Sequence, residues 1–122
     1  MSKKYPWAIR IEGGQIVFGL YDGKNWTGSF TKPPFKIEKK WVNIVAIKDA
    51  YKKETSLYID GYLVSTNPLS LEDTNLSNNL GFTVGSRNLK NDSLYNGYMR
   101  DFAIFDRVLS GNEILRMYRS SK

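Results

Sequence analysis

Asp60-Gly61 stands between two short runs rich in strand-forming residues, Ser56 to Ile59 and Tyr62 to Ser65. An Asp-Gly pair supplies, at little steric cost, the two positive φ angles of a type I′ turn, whose twist matches that of two antiparallel strands. The spacing predicts a tight β-hairpin and commits this part of the chain to a sheet. Asp60 is accordingly read as a turn residue rather than a ligand group.

The same grammar runs through most of the chain. Trp7 to Ile11 reads as a strand, Gly13-Gly14 as a hairpin turn, and Gln15 to Tyr21 as its partner, closed by Asp22-Gly23. Lys24 to Pro34 mixes Asn25, Gly28, Pro33 and Pro34, which predicts a loop with a short edge strand around Thr27 to Thr31. Trp41 to Lys48 is apolar on both parities, the pattern of a central strand covered on both faces. After a polar turn at Asp49 to Thr55 and the Asp60-Gly61 hairpin, Asn67 to Asn79 reads as a surface loop. Gly81 to Ser86 reads as a short strand, Arg87 to Asn96 as another polar loop, and Tyr98 to Phe105 as a long final strand.

The period changes only at the end. Ser110-Gly111-Asn112-Glu113 fits a capping box, in which serine hydroxyl and glutamate carboxylate each take up a free backbone N–H of the other, and Ile114, Met117 and Tyr118 then share one face. One short helix should dock against the sheets. A chain of 122 residues holds one domain with a real core, and neither a repeat nor a linker divides it.

Absent residue types narrow the chemistry. With no cysteine and no histidine, the chain lacks disulfides, thiolate ligands, the commonest zinc ligand and the usual general base. No cofactor and no metal site are expected. No segment approaches the ~18 apolar residues of a membrane span, and the first residues lead into no signal-type apolar run. The net charge is +6, and through Gly61 eleven Lys and Arg face six Asp and Glu, against seven and six in the remainder. Lys32, Lys36, Lys39, Lys40, Lys48, Lys52 and Lys53 fall near strand ends or loops, where lysine discourages stray strand addition. An arginine-rich helix is missing, so nucleic acid ranks last among partners.

Four segments in order, Trp41 to Ala46, Leu57 to Val64, Phe82 to Ser86 and Gly97 to Tyr118, resemble the laminin G-like domains of the concanavalin A-like lectin and glucanase superfamily. The resemblance implies an all-β, antiparallel jelly-roll sandwich, shortened at its N-terminal strand and carrying one short C-terminal helix. It also implies an extracellular or cell-surface setting. Trp41, Ile59, Val84, Phe102 and Ile104 are the side chains expected to meet between the two sheets. Where many members of the family carry an acidic residue this chain has Arg100, with Asp101 one place later, so Asp101 is read as a turn carboxylate paired with Arg100 or a backbone amide rather than a calcium ligand. With the opening strand missing from its expected place, either Lys3 to Tyr5 supplies a shortened version or another chain pairs at the open sheet edge by strand addition, which would make self-association part of the function.

The glucanase pattern Glu-x-Asp-x-x-Glu is absent, and Glu12, Glu38, Glu54, Glu72 and Glu113 are scattered, so no enzymatic activity is expected. A binding module is the leading reading, with a glycan or an extracellular protein as partner. Sugar recognition sets aromatic faces beside groups that bond hydroxyls. Tyr21, Asp22, Asn25 and Trp26 place such groups in one turn, and Arg87, Tyr95 and Asn96 in a second loop. The alternative is a structural or assembly subunit with no small ligand.

Overall fold

Gly13 and Gly14 adopt φ of 56° and 83°, and Asp60 and Gly61 adopt 51° and 84°, so each pair supplies the two left-handed residues of a type I′ turn. The first pair joins β1 (Trp7–Glu12) to β2 (Gln15–Tyr21), and the second joins β5 (Glu54–Ile59) to β6 (Tyr62–Pro68). With β3 (Trp26–Phe30) and β4 (Ile44–Asp49) these strands form, among the described residues, two antiparallel three-stranded sheets, ordered β1-β2-β3 and β4-β5-β6. A helix, α1 (Gly111–Ser120), follows. This is a computed structural model, and it describes residues 7–21, 26–37, 40–69 and 98–121. The architecture is an all-β sandwich of two antiparallel sheets with one short C-terminal helix.

Alternation aims the central strands at each other. Ile16, Phe18 and Leu20 on β2 and Leu57 and Ile59 on β5 bury their side chains between the sheets together with Leu69. Trp7, Phe35, Ile37, Val42, Ile44 and Ala46 pack around that cluster. The segment after β3 stays attached to the first sheet through Thr31, whose N–H donates to the Ile16 carbonyl at 3.0 Å while its Oγ1 accepts from the Ile16 N–H at 2.9 Å. The Ile37 N–H then donates to the Gly14 carbonyl at 2.9 Å, folding this stretch over the first turn.

The two sheets meet along β3 and β6 through side chains. Ser29 Oγ donates to the Thr55 carbonyl at 3.2 Å and lies 2.8 Å from Thr55 Oγ1, with both residues fully buried. Asn67 Nδ2 donates to the Gly28 carbonyl at 2.8 Å, and Thr27 Oγ1 donates to the Pro68 carbonyl at 3.0 Å. Buried hydroxyls are tolerated here because each has a partner. Asn67 therefore belongs to a strand, not to the start of the loop expected from Asn67 onward. Its backbone pairs with Thr55 while its amide holds the neighbouring sheet.

Asp60 has a second role beside its turn. Its Oδ1 accepts from the Asn43 N–H at 2.9 Å, and its own N–H donates to the Asn43 carbonyl at 2.9 Å, which fixes where the chain enters β4. The capping box forms as expected: Ser110 Oγ accepts from the Glu113 N–H at 3.1 Å, and Glu113 Oε1 accepts from the Ser110 N–H at 2.9 Å. Leu109 and Ile114 are both buried at the N′ and N4 positions of a hydrophobic staple. The helix seats Ile114, Leu115 and Tyr118 inward rather than Met117, which is more exposed; Leu115 and Tyr118 lie over Gly61.

Three expectations are overturned. The strand expected over Trp41 to Lys48 begins at Ile44 and lies at one end of its sheet, with β5 at the centre. Trp41 precedes it and is more than half exposed, its ring carrying the Arg100 guanidinium 5.1 Å from the centroid. The final strand expected over Tyr98 to Phe105 does not form a ladder among the described residues, because Asp101 takes φ of 56°, which breaks an extended run. Phe102 and Ile104 are consequently more than half exposed, so of the five expected core residues Ile59 is buried and Trp41, Phe102 and Ile104 are not. Val84 and the strand over Gly81 to Ser86 lie outside the described residues. Asp101 does pair with Arg100, Oδ2 to Nε at 3.6 Å.

Candidate functional site

Tyr21 ends β2 and Trp26 begins β3, directly opposite each other in the register. Their rings stack with centroids 4.5 Å apart and planes 26° from parallel. Tyr21 is buried beneath while Trp26 keeps 38% of its surface exposed, so the pair is a supported aromatic platform with one accessible ring. Of the residues read as ligand-binding, these two are brought together. Asp22, Asn25, Arg87, Tyr95 and Asn96 lie outside the described residues.

Strand alternation extends this platform into a face. Ala8, Arg10 and Glu12, then Val17, Gly19 and Tyr21, then Trp26, Gly28 and Phe30 share the side of the first sheet opposite the core. In register, Ala8, Gly19 and Gly28 form a row of small residues crossing all three strands. Tyr21 and Trp26 bound that row on one side, and Arg10, Val17 and Phe30 bound it on the other. Trp26 and Phe30 are four positions apart on one strand, about 13 Å at strand rise, with only Gly28 between them on that face. The result is a sheet face whose row of small residues is flanked by aromatic side chains.

Polar groups stand on the second side of that row. Arg10 Nη2 lies 3.0 Å from Glu12 Oε1, and Lys32 Nζ sits 5.7 Å from the Phe30 ring centroid. Such a face offers ring stacking, guanidinium and ammonium donors and a carboxylate acceptor over a flat span. Phe30 and Arg10 were not singled out in the sequence, and Gly28 was read there only as a strand breaker. The Trp-x-Gly-x-Phe spacing of β3 was visible, but its meaning depends on Gly19 falling opposite Gly28, which only the register supplies.

A second concavity lies between Phe105, Leu109 and Met117, beside Arg107 and Glu113. There Arg107 and Glu113 form a two-pronged pair at 3.0 and 2.6 Å. Glu113 is held down at about 2, first by the Arg107 hydrogen bond and next by the Ser110 N–H. Arg107 is raised for the same reason. Arg107 and Glu113 are already spent on each other in the helix cap, so this hollow, which Arg116 also lines, reads as part of the helix seat.

Comparison with known proteins agrees with this architecture. A family model described as the Concanavalin A-like lectin/glucanases superfamily, of the third laminin G type, matches residues 1–115. The chain is also similar to a crystal structure, at 2.1 Å resolution, of residues 221–444 of an S-layer domain-containing protein from Clostridium thermocellum ATCC 27405. The TM-score is 0.54 at 24% identity, over 96% of this chain and 58% of that one, so the chain spans less than two thirds of its structural relative. No curated protein sequence matches it.

Proposed function

The chain belongs to the concanavalin A-like lectin/glucanases superfamily, and from that premise we propose that it is a non-catalytic binding module recognising carbohydrate, or an extracellular surface partner, across the Tyr21–Trp26 face. The observation that carries this reading is the half-open Trp26 ring stacked on buried Tyr21 at one end of that sheet face. A pyranose presents an apolar face to such a ring and its hydroxyls to flanking polar groups. Arg10 and Glu12 stand on that face, and Asp22 and Asn25 lie between Tyr21 and Trp26 in the sequence. Arg87, Tyr95 and Asn96 are assigned to the same work from their composition alone.

A cell-surface or extracellular setting goes with this reading, supported by family membership and by the S-layer domain-containing relative. The non-catalytic character is supported by a sequence without histidine and without the paired-carboxylate motif of the glucanases. A glycan array followed by titration calorimetry tests the assignment. Trp26→Ala should weaken binding by roughly tenfold to a hundredfold, the size of one well-packed aromatic contact. An array without hits, or affinity indifferent to that truncation, would remove the saccharide reading from this face. A structural or assembly role is the second reading, favoured by the apolar edge that β1 presents.

A further inference from the structure

β1 lies at the end of its sheet, and among the described residues its outer edge carries no ladder. Its core-side residues continue the apolar layer past β2. Ile9 and Ile11 sit opposite buried Phe18 and Ile16, yet they remain 42% and 40% exposed. The hydrogen-bonding phase follows from the two-residue turn: Glu12 and Gln15 close the hairpin, so Arg10 and Ala8 bond toward β2 while Ile9 and Ile11 turn N–H and C=O outward. A short strand edge with exposed isoleucines is a template for another strand.

The charges on that strand select the occupant. We infer that β1 pairs antiparallel with β1 of a second copy of this chain, about a two-fold axis at Ile11. Three registers pair Ile9 and Ile11 with each other or themselves in the outward hydrogen-bonding phase. Placing Ile9 against the second copy's Ile11 sets the two Arg10 side chains face to face, which is unfavourable. Centring on Ile9 sets Arg10 against Ala8 and gains no charge pairing. Centring on Ile11 sets each Arg10 against the second copy's Glu12, joins the two Ile11 residues by reciprocal N–H to C=O bonds, and faces Ile9 with Gly13, around which no atom lies within 4 Å of an added β-carbon.

Arg10 already bonds its own Glu12 through Nη2, and in this register the two copies set two arginines and two carboxylates across the axis. The contact is small, so the pairing belongs to the weak, concentration-dependent class.

Sedimentation velocity of the whole chain over a concentration series is the test. The mass should rise from 14.0 kDa toward twice that value. Ile11→Lys, which places two ammonium groups at the axis, should return it to the monomer, as should Arg10→Glu or Glu12→Arg alone. The double exchange of Arg10→Glu with Glu12→Arg restores complementarity and should restore the dimer, which a general loss of fold would not do; far-ultraviolet circular dichroism confirms that each variant keeps its sheets. A monomer throughout the series, meaning an edge used by nothing or covered by the chain's own residues, overturns the inference. So does a dimer that ignores Ile11→Lys, or a double exchange that stays monomeric.

Discussion

Gly28 shows how much can depend on one missing side chain. A β-carbon there would overlap the carbonyl oxygen of Phe18 on the neighbouring strand, while the Gly28 carbonyl accepts the Asn67 amide from the other sheet at 2.8 Å. Gly28→Ala must either push β3 from β2 or break that bond, and should lower stability by about 3 kcal/mol, read from the urea midpoint. A change below about 0.5 kcal/mol, the range of a neutral surface substitution, would mean the strands approach less closely than described. The sequence marked Gly28 only as a strand breaker. Its role came from what lies across the ladder, whereas Asp60 was readable because its constraint is contained in a turn of two residues.

Elements whose ends are set by nearby residues were the legible ones. The helix was anticipated from Ser110 and Glu113 because a capping box spans four positions and needs no tertiary partner. Its electrostatics add a pH dependence. The Glu113 carboxyl falls from an ordinary 4.5 to about 2, because Arg107 and then the Ser110 N–H favour its charged form. With the folded value below the unfolded one, the cap's contribution is complete above the ordinary value and is lost as pH falls through about 2. Amide exchange across Gly111 to Ser120 should accelerate over that acid window relative to the core strands, once intrinsic rates are divided out. Glu113→Gln should flatten the response, and an equal slope in both proteins would refute the assignment. Trp41 and Tyr98 to Phe105 misled at this scale. An apolar run records that a segment favours extended, buried surroundings, but not whether a neighbouring strand is there to complete them.

At the scale of the molecule, the described strands of each sheet follow one another as a meander, residues 7–30 and then 44–68. Hairpin signals therefore recovered most of the strand order, and family membership agreed on the sandwich. What they left open was how the layers face each other, because the core cluster draws on β2 and β5 at once. Leu57 is wholly buried at the centre of that cluster, so Leu57→Ala should cost about 3 kcal/mol. If the layers fold as one unit, denaturation followed by the fluorescence of Trp7, Trp26 and Trp41 together and by circular dichroism stays a single coincident transition with its midpoint lowered. Two separated transitions would reveal layers that fold independently. The candidate binding face was half legible for the same reason: Tyr21 and Trp26 are close in sequence, whereas Arg10, Val17 and Phe30 join them only through the ladder.

The seam between β3 and β6 gives the sandwich a direction of mechanical weakness. Within a sheet, load is shared by successive backbone bonds, but across this line, among the described residues, the polar links are the few that Ser29, Thr55, Asn67, Thr27 and Ser65 make, beside the apolar contacts of the core. Tension applied across the layers would shear these rungs and let the leaves slide apart, while the hairpins on either side stay intact. A protein held at a surface by one leaf would yield first along that fault.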